Sequence, residues 1–278
     1  MQLKAAVIGH PIAHSKSPAL HRAAYELLGA NISYQLVDLA PGKLAEFVNR
    51  VRAEGDWAGV SVTMPHKAAM LALVDEIDQN VRSLGVLNTV VVDQPSGKLR
   101  AMNTDVAGIV HALAQAGLSQ LHRGSVLGGG GTALAALAAL KQIGALAATV
   151  YLRDKIKSTE LNAFAASAGL ILAVRSFDEL VDGFEPAELL ISTLPPKAAD
   201  SLVPLLVDAA PMLLDVAYDP WPSSLAQAFT QRGGVVVSGL EMLMYQAVQQ
   251  VAAFTRQDLR GRVDVINVMC DSIGLPRR

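Results

Sequence analysis

Four polar clusters in the first 105 residues carry groups able to do chemistry: His14-Ser15-Lys16-Ser17-Pro18, Ser61-Val62-Thr63-Met64-Pro65-His66-Lys67, Gly85-Val86-Leu87-Asn88-Thr89 and Asn103-Thr104-Asp105. Hydroxyls and amides dominate them, and both kinds donate and accept hydrogen bonds. Lys67 and Asp105 add one charge of each sign. Each cluster taken singly has a plainer reading. Ser17 suits a helix cap before Pro18, Asn103-Thr104-Asp105 suits another, and most lysines are solvated. The six histidines are scattered; His10 and His14 are four apart but straddle Pro11, so no metal site is expected.

A second kind of chemistry lies in SVLGGGGTALAALAAL (125–140). It reads as a strand, a four-glycine turn and an alanine-rich helix. Gly128 and Gly130 match the first two glycines of the dinucleotide fingerprint, and Ala133 takes its third small position. Gly128 permits the tight turn, Gly130 lets backbone N–H groups approach a pyrophosphate, and Ala133 lets helix and strand pack closely. The helix N-terminus then offers its positive end to phosphate.

The elements that must position these groups alternate. LKAAVIGHPI (3–12) reads as a strand, and Ser17-Pro18 supplies an N-cap and an N1 proline to a helix ending at Gly29. SYQLVDL (33–39) is a second strand. Leu44, Phe47, Val48 and Val51 mark a helical face, and GVSVTMP (59–65) is a third strand. This alternation predicts a parallel sheet covered by helices. Around 87–102 two short strands flank the turn Asp93-Gln94-Pro95-Ser96-Gly97, and a helix follows to Gly117. A second βαβ series is expected near 125–128, 147–152, 170–174, 188–192, 212–216 and 234–237. Helical segments near 241–254 and 263–273 close the chain.

The 278 residues suit nearly two domains at roughly 150 residues each. Apolar residues make up 51% and charged residues 17%, which excludes a disordered chain. A net charge of −2 (23 basic against 25 acidic) leaves no footprint for nucleic acid, and no basic run points to a membrane surface. The N-terminus lacks the long apolar segment of a signal peptide, and the uncharged stretch from Gly124 is broken by four consecutive glycines and is too short to span a bilayer. One cysteine, Cys270, excludes an internal disulfide, so a cytoplasmic, reducing location is expected.

In this order the clusters resemble the shikimate dehydrogenase family. The matching residues are Gly9-x-Pro11-Ile12-x-His14-Ser15-x-Ser17-Pro18, Val62-Thr63-x-Pro65-x-Lys67, Asn88-Thr89 and Asn103-Thr104-Asp105. They continue in Gly128-x-Gly130-Gly131, Asp215-x-x-Tyr218-x-Pro220 and Gly239-x-x-Met242-Leu243-x-x-Gln246-Ala247. The resemblance spans residues 5 to about 254.

It implies an α/β architecture: a substrate-binding and catalytic domain over 1–106, with 241–278 packing back on it, and a Rossmann-like NADP-binding domain over 107–240. The active site would lie in the cleft between them. It implies interconversion of shikimate and 3-dehydroshikimate in chorismate and aromatic amino acid biosynthesis. Lys67 and Asp105 would be the catalytic pair, and Ser15, Ser17, Ser61, Thr63, Asn88, Tyr218 and Gln246 would hold the substrate. NADP would be held by Gly128, Gly129, Gly130, Gly131, Thr132, Arg153, Asp154, Lys157, Ser192, Thr193, Leu194, Val216, Gly239 and Met242. The implied protein is a monomer or homodimer whose partner is a small molecule.

Shikimate carries one carboxylate and three hydroxyls, so a site for it calls for many neutral donors and acceptors. Four departures from the family pattern bear on this reading. Ser61 stands where the family often has asparagine, and Val86-Leu87 replaces Ala-Val. Ser223-Ser224 replaces Thr-Pro, and Leu152-Arg153-Asp154 replaces Asn-Arg-Thr. Arg153 and Lys157 match two basic positions for the 2′-phosphate of NADP, whereas an inward Asp154 would repel it. Quinate or aminoshikimate as substrate, with NAD, is the near alternative, and a nucleotide sensor without catalysis is the distant one.

Overall fold

The computed structural model describes every residue except Pro95, Val207 and Ala209, and every other side chain except that of Lys157. The sequence-derived turn at 93–97 therefore lies outside the described residues at Pro95, and the Lys157 side chain lies outside them too. The chain forms two compact units, Met1–Asp105 with Leu243–Arg278, and Val106–Met242.

The first unit holds strands β1 (Leu3–Gly9), β2 (Ile32–Asp38), β3 (Trp57–Val62), β4 (Glu76–Ile77), β5 (Thr89–Val92) and β6 (Leu99–Met102) in the order β2-β1-β3-β5-β6-β4. β1 runs parallel to β2 and β3, but β5 runs antiparallel to β3 and β6. The sheet is thus mixed, where the alternation predicts a parallel one. The cause is local: the short connection from β5 to β6 can only reverse the chain, because a parallel return needs a crossover of a dozen or more residues.

Helices α1 (Ser17–Leu27), α2 (Leu44–Glu54) and α3 (Gln79–Leu84) connect these strands. α2 buries Leu44, Phe47, Val48 and Val51, one stripe at helical spacing, and stops at Gly55 in the left-handed region (φ 66°). That stripe joins Ile8, Val60, Val62, Leu87 and Val90 in the core under the sheet. α1 corrects one expectation. Its N-cap is Lys16, and Ser17 is already helical. The hydroxyl that receives a helix N–H is that of Ser15, which accepts from Ser17 N at 3.3 Å.

α4 (Asp105–Gln115) carries the chain from the first unit into the second, and α9 (Gly239–Thr255) carries it back. α10 (Val263–Ile273) then packs on α1 and buries Cys270 completely.

The second unit holds β7 (Arg123–Leu127), β8 (Ala147–Leu152), β9 (Ile171–Ser176), β10 (Leu189–Ser192), β11 (Met212–Asp215) and β12 (Val235–Ser238), with helices α5 (Gly131–Gln142), α6 (Ser158–Ala168), α7 (Val203–Leu206) and α8 (Ser224–Gln231). The order β12-β11-β10-β7-β8-β9 is parallel throughout. β10 and β11 are buried at every position, as strands covered on both faces must be. The order reverses at β7, the crevice where such sheets bind ligands, and the glycine turn follows that strand. α5 lies close on β7, since a Cβ on Gly124 would come within 2.5 Å of Leu140 Cδ2.

Candidate active site and cofactor loop

In the first unit the site begins where β1 and β3 end. Thr63 N–H donates to Ile8 O at 3.0 Å and His66 N–H to Thr63 O at 2.9 Å, which turns the chain so that Lys67 follows. A Cβ on Gly9 would fall 2.5 Å from Thr63 Cγ2, so only glycine lets the two strand ends meet. His66 is buried and bonds Leu39 O through Nε2 at 2.7 Å, which anchors the turn.

Lys67 Nζ lies 2.5 Å from Asp105 Oδ2, with the two side chains 14% and 7% exposed. A part-buried ion pair this close holds each partner where the other needs it. Asp105 Oδ1 accepts from Asn88 Nδ2 at 2.8 Å. Asn88 is held by Thr104 N–H (2.8 Å) and by the Thr89 hydroxyl (2.8 Å). Asn103 Oδ1 accepts the Asp105 N–H at 3.0 Å and its amide reaches Val86 O, so Asn103 starts α4 and sets the carboxylate. Gln246 Oε1 lies 3.2 Å from Thr104 Oγ1 and 3.3 Å from Asn88 Nδ2. Sequence clusters separated by up to 158 positions thus meet around one carboxylate.

Ser17 is buried and its hydroxyl meets that of Tyr34. Ser15 and Thr63 are half-buried at the same strand ends. Ser61 requires a correction. It is 4% exposed, accepts from Tyr34 at 2.7 Å and donates to Gln250 Oε1 at 2.7 Å, so its proton is committed inside the protein. Its one proton is spent within the protein, so it has none left to donate to a ligand.

Sequence reasoning also missed Tyr34, His21 and Gln250, and it placed Thr104 in a motif without giving it a role in the site. Gln250 had a legible signal, since it sits one helical turn after Gln246 on α9. His21 had none: its imidazole is fully buried, stacks on Tyr34 at a 3.9 Å centroid distance, and is pushed down to about 3 by loss of solvent.

In the second unit the site is made mostly of backbone. Gly128 has φ 108°, and a Cβ there would also lie 2.5 Å from Thr193 Oγ1. Thr193 in turn donates N–H and hydroxyl to Leu127 O at 2.9 and 2.8 Å, which ties the end of β10 to the glycine turn. Gly130 caps α5 with no side-chain partner. Nothing lies within 4 Å of where its Cβ would be, so the fold itself does not ask for glycine there. Gly129, Gly131 and Thr132 line the same half-exposed rim. An open, uncapped helix N-terminus fits a phosphate group.

Arg153 is exposed and has no ion pair among the described residues, while Asp154 turns back to accept Ile156 N–H at 2.9 Å. Lys155 is spent on Glu179 at 2.7 Å. Among the described residues of this turn the guanidinium is therefore the available cation, and Asp154 is a cap. These groups fit a dinucleotide that carries an extra phosphate.

Ser192 requires a second correction. It is 1% exposed and its hydroxyl bonds Asp215, whose carboxyl burial pushes up. Asp215 also accepts from Ser223 at 2.5 Å, and Ser223 caps α8 by accepting Ala226 N–H. Ser223 thus fulfils a capping role despite the departure from Thr-Pro. Gly239 is sterically required, since a Cβ would lie 2.1 Å from Val216 O; Met242 is buried. Leu194, Val216 and Tyr218 are half-buried beyond the ends of β10 and β11.

A Rossmann-type unit with an open glycine turn, joined to a mixed-sheet unit with a part-buried Lys–Asp pair, defines a two-unit α/β class built for a nucleotide and a small polar ligand. Residues 7–90 match the model of the shikimate dehydrogenase substrate binding domain. A shikimate dehydrogenase (NADP(+)) of Methylobacterium radiotolerans is 36% identical over 257 residues, 88% of each chain. One of Rubrobacter xylanophilus is 35% identical over 259 residues, 91% of this chain and 90% of the relative. The crystal structure of Mycobacterium tuberculosis shikimate dehydrogenase superposes with a TM-score of 0.84 at 37% identity, over 98% of this chain and 99% of that one. The chain belongs to the shikimate dehydrogenase family.

Proposed function

We propose that this protein is an oxidoreductase that interconverts 3-dehydroshikimate and shikimate with NADPH and NADP+. The observation that carries the reading is the part-buried Lys67–Asp105 pair with Asn88 on the second carboxylate oxygen. Bound NADP supplies the hydride acceptor at its nicotinamide. The chain must then manage a proton. In reduction the Lys67 ammonium gives a proton to the reacting oxygen and is left as the amine; in oxidation the amine takes the hydroxyl proton and becomes the ammonium again. Asp105 holds the ammonium in place, and Asn88 holds Asp105. Ser15, Ser17, Thr63, Asn88, Gln246 and Tyr218 pair the hydroxyls and the carboxylate, so analogues lacking one are rejected. The substrate-binding unit is Met1–Asp105 with Leu243–Arg278, and the NADP-binding unit is Val106–Met242. Gly128 to Thr132 hold the pyrophosphate and Arg153, with Lys157, the 2′-phosphate. The enzyme works in the cytoplasm as a monomer or homodimer.

The test is absorbance at the reduced-nicotinamide band on mixing the protein with shikimate, quinate or aminoshikimate and either cofactor. Turnover with shikimate and NADP+ is expected to exceed every other pair. Faster turnover of quinate with NAD+ would replace the proposal, and nucleotide binding without turnover of any substrate would make the protein a sensor.

A further inference from the structure

We propose that Thr89 and Gln250 are positioning residues for the Lys67–Asp105 pair, acting through a one-way chain of hydrogen bonds that begins at Tyr34; the proposal rests on the dehydrogenase reading above. Two backbone groups fix the direction of the chain. The Thr104 N–H can only donate, and it reaches Asn88 Oδ1 at 2.8 Å, so Asn88 presents Nδ2 to Asp105. The Asn88 carbonyl can only accept, and Gln250 Nε2 reaches it at 3.2 Å, so Gln250 presents Oε1 to Ser61.

The remaining protons follow from these two. Ser61 must donate to Gln250 Oε1, and therefore accepts from the Tyr34 hydroxyl at 2.7 Å. Gln250 Nε2 donates to Thr89 Oγ1 at 2.9 Å, and Thr89 donates onward to Asn88 Oδ1 at 2.8 Å. Asn88 donates to Asp105 Oδ1 at 2.8 Å, and the other Asp105 oxygen accepts from Lys67. Every link donates toward the carboxylate.

All the links between Tyr34 and Asp105 are buried, with Thr89 at 0% and Gln250 at 2% exposed. Head-to-tail donation in such surroundings polarises each group in the same sense and strengthens the next bond. His21 adds to it: its Nε2 donates to the same Gln250 oxygen at 3.3 Å, and its Nδ1 accepts from Tyr25 at 3.1 Å. Burial pushes the Tyr34 phenol up, so it remains a donor at neutral pH. The amides of Gln250 and Asn88 interrupt proton transfer, so the chain orients the pair and conducts nothing. Ser61 is the enabling residue, because its short side chain closes the gap between Tyr34 and Gln250.

The experiment compares Thr89→Val, Thr89→Ser and Tyr34→Phe with the unmodified protein. Steady-state rates with shikimate and NADP+ are read alongside thermal stability. Labelling of Lys67 by an amine-reactive reagent, followed by mass spectrometry, is read in parallel. Thr89→Val is expected to lower kcat about two- to tenfold, the equivalent of one hydrogen bond, with KM for NADP+ unchanged. Thr89→Ser keeps the hydroxyl and is expected to restore kcat. Tyr34→Phe removes the head of the chain together with the hydroxyl that Ser17 meets, and is expected to lower kcat less than Thr89→Val and to raise KM for shikimate. Lys67 labelling is expected to quicken in the same order. Unchanged kcat and labelling in both Thr89→Val and Tyr34→Phe would overturn the proposal, as would a Thr89→Ser variant no better than Thr89→Val. If Thr89→Val does not fold, Tyr34→Phe decides through Lys67 labelling without substrate, which the loss of the Ser17 partner does not touch. An unmodified protein without shikimate turnover would overturn the dehydrogenase reading instead, and the labelling arm still decides the chain.

Discussion

The two units solve the problem of holding a ligand with opposite materials. In the first, side chains hold side chains: Lys67, Asp105, Asn88, Thr104 and Gln246 are tied to one another within 3.3 Å and are shielded from water. In the second, the glycine turn is shaped by a positive φ at Gly128 and left open at Gly130, and Arg153 waits in solvent. The difference follows from what each must recognise. A small ring with several hydroxyls is told from its analogues by many fixed partners, each costly to leave unpaired. A pyrophosphate needs close backbone approach and a positive helix end, for which small residues suffice. Damage to the first unit should therefore appear in kcat and in KM for the substrate, and damage to the second mainly in KM for the cofactor.

The largest effect expected is at Lys67. General acid–base groups contribute roughly 10²–10⁴-fold, so Lys67→Ala should lower kcat by that factor with shikimate binding mostly intact, as read by steady-state kinetics and ligand titration. A near-normal kcat would remove Lys67 from the chemistry.

The glycine turn allows a sharper contrast. Gly128→Ala forces a side chain into a positive-φ position against Thr193, a strain of roughly 1–3 kcal/mol, so both Tm and cofactor affinity should fall. Gly130→Ala meets no protein atom, so Tm should hold while KM for NADP+ rises. An unchanged KM in Gly130→Ala would place the phosphates elsewhere.

His21 links the first unit to pH. Its folded pKa of about 3 lies below the ordinary 6.5, so the unfolded chain takes up a proton first as pH falls. The contribution of this residue is intact above pH 6.5 and is lost progressively between about 6.5 and 3. By pH 5 the loss reaches about 2 kcal/mol at 1.36 kcal/mol per unit. The difference in unfolding free energy between pH 7 and pH 5, read from denaturant titrations, should shrink by about that amount in His21→Phe relative to the unmodified protein; an equal acid sensitivity in both would assign the effect to other groups.

Cofactor choice carries the smallest effect. NADP+ should be preferred over NAD+ by at least about tenfold in kcat/KM, or ~1.4 kcal/mol, and Arg153→Ala should erase most of it. A preference for NAD+ in the unmodified protein would contradict the role given to the guanidinium.

How far these features could be read in advance depends on their range. The strands of the second unit and the helix stripe Leu44, Phe47, Val48 and Val51 follow from local periodicity and were legible within a residue or two. The cap of α1 was not, because whether Lys16 or Ser17 is the last non-helical residue depends on backbone angles that either residue can adopt. Ser61 was misread for a different reason. Its decisive partner, Gln250, lies 189 positions away, and nothing near Ser61 in the chain signals that its proton is taken.

The amino-acid sequence by itself therefore determined the order of strands and helices, the glycine turn and the family motifs, since each rests on residues close together in the chain. Only the tertiary structure decided which polar residues are spent on one another and which face outward. Asp154 became a cap and left Arg153 available, Ser192 and Ser61 turned inward, and Asn88 became the bridge to Asp105. The physical reason is that a hydrogen bond is satisfied in three dimensions: a buried donor must find an acceptor wherever the fold delivers one.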